Sequence, residues 1–290
     1  MDAVTTAPPA RKRVALVIGA GSVKCAAALG MWKVLQREGI DIDMVVGCSG
    51  GSLYAAVMAL GYDPATCERL TAELWTPELT RRRNLRSMLA AVLPRVFGFD
   101  GSLSMVDDTA LLRALDTPFG GRTFAEASIP LHIVATDLND GQKVVLNQGS
   151  VRDAVRASVA IPYVWKPWEI DGRQLLDGCV SDPLPVDVAI REGADVILAM
   201  GFESPYPSRI RSATRYAFQV NSIYTNNLLR ANYAFHNLAH HAEIIPVLPD
   251  FDRPVRLFDT HLIPYVIEEG ERATQAQLGY LHQALEAAGA

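Results

Sequence analysis

The stretch MVVGCSGGSL at residues 44–53 decides the fold class, because it joins a short apolar run to a helical pattern through a glycine-flanked serine. The apolar run Met44–Val46 predicts a buried strand over Met44–Gly47, and the pattern from Leu53 to Leu60 predicts a helix. A serine at such a strand-to-helix turn has the form of a nucleophile elbow, since the glycines let backbone and substrate approach the hydroxyl. Ser49 is therefore the first candidate for covalent catalysis.

The residues before this elbow show the same strand-turn-helix order. Val14–Gly19 is an apolar run that suits a buried parallel strand, Gly19–Ser22 is a turn, and the residues from Lys24 to Glu38 have a helical pattern that stops at Gly39. Two such units in succession open a parallel sheet that helices cover. We therefore expect an α/β protein of three layers, with a mainly parallel central sheet flanked by helices and the elbow after the second strand.

The rest of the chain alternates helical segments with hairpins. Residues 64–127 are mostly helical, and the turn sequences Asn139-Asp140-Gly141 and Asp171-Gly172 predict two hairpins. Val196–Met200 and Ile244–Val247 predict further core strands, and long helices are expected at about 212–241 and 264–288. With no internal repeat or linker, residues 13–290 are expected to form a single domain behind a disordered tail at residues 1–12.

Composition narrows the class of protein. The chain has 290 residues, is 49% hydrophobic and carries a net charge of −5, which argues against a basic nucleic-acid-binding protein. Its four cysteines have neither C-x-x-C spacing nor nearby ligand-spaced histidines, so we expect a reduced compartment, no zinc and no other cofactor. No apolar run reaches about 18 residues, and the N-terminus lacks the apolar core of a signal peptide. These features favour a cytoplasmic protein.

A serine nucleophile needs a base and donors for an oxyanion. The turn Gly19–Ser22 follows a strand and precedes a helix, where unpaired N–H groups attract anions, and the parallel sheet places it beside Ser49. Asp177-Gly178 ends the second hairpin and offers a base, although the nearby Asp171-Gly172 is the same dipeptide and is explained as a turn.

Histidines offer an alternative base. The order serine, acid, histidine of α/β-hydrolases is met by Ser49, Asp177 and one of four later histidines: His236, His240, His241 or His261. However, Ser49 follows only the second predicted strand, whereas that fold places several strands first. His236 and His240 have the i, i+4 spacing of a metal pair but lack a third ligand, so a structural or solvent-facing pair is favoured.

Three motifs together resemble one family. The run from Val14 to Gly61 contains the elbow Gly47-x-Ser49-x-Gly51, and Leu176-Asp177-Gly178 is followed by Asp182–Val186. Over residues 13–203 the chain resembles the patatin-like phospholipases, of the bacterial type with a single patatin domain. The resemblance implies a Ser–Asp dyad that hydrolyses the acyl esters of phospholipids or lysophospholipids through an acyl-enzyme, in the cytoplasm or peripherally at a membrane.

The resemblance also implies a role for each motif residue. Ser49 matches the nucleophile and Asp177 the general base, whose pKa we expect to be raised by desolvation. The remaining matches are an oxyanion loop and its supporting residues: Gly21, Ser22, Ala20 and Val23 in the loop, Lys24 as its basic residue, and Gly19, Gly47, Gly51 and Gly178 as supporting glycines. The chain departs from the family where Ala20, Ser22 and Cys25 replace glycines of the loop and where Cys179 follows Asp177-Gly178. Two alternatives remain open: an acyltransferase that uses Ser49, and a catalytically weak, membrane-binding family member.

An arginine-rich stretch within residues 64–127 has two interpretations. Its basic residues are Arg81, Arg82, Arg83 and Arg86, and an apolar segment follows at residues 88–97. One interpretation, the favoured one, is a solvated helix start followed by a helix that faces the core. The other is a lid that meets anionic headgroups and covers the active site. Trp165 and Trp168 line the acyl pocket in one hypothesis and simply pack beside the second hairpin in the favoured one.

Overall fold

A central sheet of eight strands organises the molecule. The computed structural model describes residues 11–98, 103–203, 206, 209–211, 213–239, 242–255 and 259–286. The strands are β1 (Val14–Ile18), β2 (Met44–Cys48), β3 (Leu131–Asp137), β4 (Lys143–Leu146), β5 (Trp168–Ile170), β6 (Arg173–Asp177), β7 (Val196–Met200) and β8 (Glu243–Val247). The helices are α1 (Ala27–Arg37), α2 (Gly50–Ala59), α3 (Pro64–Leu74), α4 (Leu85–Val92), α5 (Pro94–Phe97), α6 (Thr109–Phe119), α7 (Val151–Ser158), α8 (Val186–Arg191), α9 (Ala213–Ala239) and α10 (Ile263–Glu286).

The strand order is β5-β6-β3-β2-β1-β7-β8, with β4 paired to β3. Strands β3, β2, β1, β7 and β8 run parallel, and Leu16 in the centre of β1 lies between Val45 and Leu198. The two predicted hairpins add the antiparallel strands β4, β5 and β6. The turns that follow β1 and β2 therefore lie at the same edge of the sheet, as the motif analysis requires.

Helices cover both faces of this sheet. Leu16 and Ile18 pack into one core with α1, α2 and α10, whereas Ala15 and Val17 pack into a second core with α8 and α9. This division follows from the alternation of side chains along a strand. The three-layer α/β fold predicted from the sequence is confirmed. The predicted N-terminal tail falls largely on residues 1–10, outside the described ranges.

The apolar segment after the arginine-rich stretch does not face the core. Ala90 is the one buried residue of α4 and α5, while Leu85, Val92 and Val96 are 65%, 77% and 72% exposed. The interpretation of a core-facing helix is therefore wrong. Both faces of the sheet are already covered by other helices, and the two short helices α4 and α5 are left with an apolar side toward solvent.

Candidate active site

Ser49 occupies a strained turn between β2 and α2. Its φ of 53° and ψ of −128° lie in a region that residues with a side chain rarely adopt. The flanking glycines make this turn possible: a Cβ at Gly51 would lie 2.2 Å from the carbonyl oxygen of Ile18, and one at Gly47 would lie 2.6 Å from the Cα of Ser52. The elbow therefore packs closely against the end of β1.

Two further serines fix the backbone of Ser49. The Ser49 N–H donates to Oγ of the buried Ser158 at 2.9 Å, and that hydroxyl donates to the carbonyl of Val134 at 2.7 Å. The hydroxyl of Ser52 donates to the Ser49 carbonyl at 2.6 Å. Sequence reasoning missed Ser158, because it lies at the end of α7, 109 residues away, and no local motif marks it.

Asp177, at the end of β6, meets the serine hydroxyl directly. Ser49 Oγ donates to Asp177 Oδ2 at 2.7 Å, and the N–H of Cys179 donates to Oδ1 at 2.9 Å. The backbone of Asp177 is held in turn, since its N–H donates to the Ala160 carbonyl and its carbonyl accepts from Thr136 Oγ1. The two residues proposed from sequence as nucleophile and base are therefore in hydrogen-bond contact.

The histidine alternative finds no support at this site. His261 is exposed on a short 3-10 helix, away from the Ser49–Asp177 pair. His240 and His241 lie outside the described residues, as does the side chain of His236. No histidine in the described part of the chain lines the cavity that contains Ser49.

Burial changes the acidity of the Asp177 carboxyl. Its side chain is fully buried, and the resulting desolvation raises its pKa from 3.8 to about 6. The hydrogen bonds from the Cys179 N–H and the Ser49 hydroxyl act in the opposite direction but are outweighed. The raised pKa expected from the sequence is confirmed.

The turn after β1 supplies unpaired backbone donors, but fewer than expected. The N–H of Gly19 donates to the Met200 carbonyl and that of Ala20 to the Pro183 carbonyl, so Ala20 is removed from the expected row of oxyanion donors. The N–H groups of Gly21, Ser22 and Val23 donate no hydrogen bond to any residue that the structure describes.

Ser22 lies closest to the elbow among these donors. Its backbone nitrogen would be 2.8 Å from a Cβ added at Gly50, the residue that follows Ser49. Ser22 adopts a φ of 55°, which serine tolerates in place of the family's glycine at some energetic cost. Gly21 must remain glycine for a different reason, because a Cβ there would lie 2.4 Å from the ring of Phe202.

The last two residues of this loop, Lys24 and Cys25, are well accommodated. Lys24 donates from Nζ to the carbonyl of Glu203 at 2.6 Å, and desolvation lowers its pKa. The fully buried thiol of Cys25 donates to the Gly19 carbonyl at 3.3 Å, and burial raises its pKa well above the usual range. Cys25 therefore replaces a glycine as a neutral, hydrogen-bonded side chain that supports the turn.

A cavity of about 920 Å³ opens above the Ser49–Asp177 pair. Loop residues 20–24, Ile161, Cys179 and one side of α9 form much of its wall. Neither Trp165 nor Trp168 lines it: Trp165 is buried in the main core, and Trp168 stacks under the Arg156 guanidinium at 4.9 Å. The packing interpretation of these tryptophans is thus correct, and the acyl-pocket hypothesis is wrong.

Residues 81–98 also lie outside the wall of this cavity, so in this structure they do not cover Ser49. Among the described helices, none is long and apolar enough to cross a bilayer. Within the same described residues, no group of three or more histidine, cysteine, aspartate or glutamate side chains could hold a metal ion.

Comparison with known proteins identifies the family. Residues 16–190 match the family described as patatin-like phospholipase. The chain belongs to this family. An uncharacterised NTE family protein of Mycobacterium tuberculosis is 29% identical over 227 residues, 78% of this chain and 58% of that protein. Human patatin-like phospholipase domain-containing protein 6 is 28% identical over 189 residues, 64% of this chain and 13% of that protein.

The patatin-like chain therefore spans little more than half the length of its mycobacterial relative. Among solved structures, human GIVD cytosolic phospholipase A2 aligns with a TM-score of 0.52 at 10% identity, covering 96% of this chain and 62% of that chain. This likeness shows a shared fold alone. The resemblance that the motifs indicated is confirmed by the family match.

Proposed function

We propose that this chain is a lipid ester hydrolase that uses Ser49 as nucleophile and Asp177 as general base, acting on phospholipids or lysophospholipids. The observation that carries the proposal is the 2.7 Å hydrogen bond from the Ser49 hydroxyl to a fully buried carboxylate at the floor of a large cavity. Membership of the patatin-like phospholipase family supports the substrate class.

The proposed reaction has two halves. Asp177 takes the proton from Ser49 as Oγ attacks the acyl carbonyl, and it returns that proton to the departing alcohol. The unpaired N–H groups of Gly21 and Ser22 stabilise the oxyanion, a contribution worth about 3–4 kcal/mol for a donor removed. Asp177 then takes a proton from a water whose oxygen attacks the acyl carbon, and it returns that proton to Ser49 Oγ as the bond to the acyl group breaks and the fatty acid leaves.

Contact with a membrane surface is part of the same proposal. Arg81, Arg82 and Arg83 precede α4, Arg86 lies in its first turn, and all four are exposed. Helices α4 and α5 and the residue between them expose six large apolar side chains: Leu85, Leu89, Val92, Leu93, Val96 and Phe97. Basic residues beside an exposed apolar helix face are typical of segments that lie in the interface of an anionic bilayer.

Hydrolysis of a panel of short-chain phospholipids and p-nitrophenyl esters tests the dyad. We expect Ser49→Ala and Asp177→Asn to lower kcat by at least about a thousand-fold, because each removes one half of the proton-transfer pair. Asp171→Asn is the matched control, since the same Asp-Gly dipeptide there forms only an exposed turn. Full activity of Ser49→Ala, or equal losses in both aspartate variants, would overturn the proposal.

A further inference from the structure

The cavity above Ser49 is strongly basic in a protein of net negative charge. The whole chain carries 27 basic and 32 acidic side chains. Among the described residues, however, the cavity wall contains four basic side chains, Lys24, Arg209, Arg211 and Arg215, and one acid, Asp177. The Asp177 carboxyl is fully buried at the floor of the cavity and accepts a hydrogen bond from the Ser49 hydroxyl. Because low-dielectric walls focus the field of such a cluster, the cavity attracts anions.

Two of these arginines have no carboxylate partner in the part of the chain that the structure describes. Arg209 and Arg211 are exposed and make no ion pair with any side chain in the described ranges. Other arginines nearby are neutralised: Arg230 makes a bidentate contact with Glu203, and Arg253 pairs with Asp252. The guanidinium groups of Arg209 and Arg211 are therefore available to a ligand, and their planar fork suits a phosphate.

Helix α9 adds polar groups to the same wall. Gln219, Ser222 and Thr225 follow one another at intervals of three residues, so they share one side of the helix. All three line the cavity. The Oε1 atom of Gln219 is buried without a hydrogen-bond partner among the described residues. Such an unpaired acceptor is costly, and a hydroxyl of a bound ligand would satisfy it.

We propose that Arg209 and Arg211 form a subsite for the phosphate of a lipid headgroup, at the mouth of the cavity whose floor holds Ser49. The substrate class is then an acyl ester of a glycerophosphate, with the ester at Ser49, the phosphate on the two guanidinium groups and a glycerol hydroxyl near Gln219. The subsite rests on the proposed function for the ester-cleaving step. The new element is that the polar end of the substrate is assigned to particular side chains.

Binding to an inactive protein tests the subsite without requiring hydrolysis. In the Ser49→Ala background, isothermal titration calorimetry with octyl phosphate should give a Kd at least about ten-fold weaker after Arg209→Gln/Arg211→Gln. The control Arg69→Gln/Arg113→Gln removes the same charge from exposed sites outside the cavity and should leave the Kd unchanged. If both double variants weaken octyl phosphate binding equally, or if neither of them weakens it, the subsite proposal is overturned.

Two further ligands separate the sources of phosphate. Octanol, which lacks the anion, should bind the wild-type and the double-variant cavity equally well. Inorganic phosphate should bind much more weakly than octyl phosphate, and equal affinities would overturn the assignment to a lipid headgroup in favour of a free-ion site.

Turnover extends the test to the active enzyme. The ratio of kcat/KM for octanoylglycerol phosphate to that for monooctanoylglycerol should fall at least about ten-fold in Arg209→Gln/Arg211→Gln and stay constant in the control pair. An unchanged ratio overturns the subsite while the hydrolase proposal stands. If the wild type cleaves neither ester, the hydrolase proposal fails, and the calorimetric result still decides whether the subsite exists.

Discussion

At the scale of single residues, two Asp-Gly dipeptides six positions apart have different environments. Asp171 lies in a turn with a φ of 50°, whereas Asp177 is fully buried against Ser49. Their local sequences are the same, so the distinction required the family resemblance rather than turn chemistry. Position in the sheet explains it physically, because Asp177 pairs with Ala135 inside the buried strand β3, whereas Asp171 lies in the turn between β5 and β6.

The environment of Asp177 sets the pH at which the proposed dyad operates. A general base acts in its ionised form, and burial raises the pKa of this carboxyl to about 6. Serine attack should therefore be slow while the carboxyl is protonated and should rise as the pH increases through that pKa. A carboxyl with the ordinary pKa of 3.8 would already be fully ionised at pH 6.

Sequence reasoning found the two side chains of the proposed dyad more readily than the groups that hold them. Ser49 and Asp177 belong to recognisable motifs, but Ser158, which accepts from the Ser49 N–H, belongs to none. Whether each loop N–H is free to bind an oxyanion also depends on residues far away in the sequence. The N–H of Ala20 donates to the carbonyl of Pro183, and the local sequence gives no sign of that contact.

At the scale of elements, the core strands were predictable because they are short, continuous apolar runs. β7 has the predicted bounds, and β1, β2 and β8 differ from expectation by one residue. The start of the first helix was not predictable. Residues Ser22–Ala26 form a 3-10 turn before α1, since the chain must bend tightly around the elbow at Gly50.

Close packing of α1 against α10 gives a prediction about stability. A Cβ at Gly270 would lie 2.0 Å from the carbonyl oxygen of Ala27, so Gly270→Ala forces the two helices apart and should lower the free energy of unfolding by about 1–3 kcal/mol. Gly279→Ala is the matched control, because it is exposed in the same helix with nothing within 4 Å. There alanine should add up to about 1 kcal/mol through helix propensity.

Urea unfolding of the wild type, Gly270→Ala and Gly279→Ala, monitored by far-ultraviolet circular dichroism, measures both changes in the free energy of unfolding. If the two substitutions change the free energy of unfolding equally, the close contact at Gly270 does not set the distance between α1 and α10.

At the scale of the whole molecule, the fold class followed from two strand-turn-helix units, but the order of the strands did not. β7 lies beside β1 although 177 residues separate the end of one from the start of the other, as the numbering of Ile18 and Val196 shows. Pairing over such a distance is decided by the packing of the whole domain. The apolar side of α4 and α5 was misassigned for the same reason, since periodicity identifies an apolar face but not what covers it.

That exposed face predicts how the molecule meets a membrane. Replacing the four arginines 81, 82, 83 and 86 with glutamine should weaken binding to phosphatidylserine-containing vesicles by at least about ten-fold. Each substitution removes a positive charge that is attracted to the anionic surface. Hydrolysis of a short soluble ester should persist, as these residues lie outside the cavity wall. Vesicle sedimentation and ester turnover measure the two effects.

A charge-matched control replaces four exposed arginines elsewhere with glutamine: Arg37, Arg69, Arg113 and Arg191. If this control weakens vesicle binding as much as the arginine-rich stretch does, net charge rather than a defined surface governs the contact.

The central claim, that Ser49 is a nucleophile activated by Asp177, is tested most directly by covalent labelling with a fluorophosphonate across pH. Mass spectrometry of the labelled peptide should place the adduct on Ser49, and the labelling rate should rise through an apparent pKa of about 6. The rise should disappear in Asp177→Asn and persist in Asp171→Asn. An adduct on another residue, or a rate that is flat between about pH 4 and pH 8, would contradict the account.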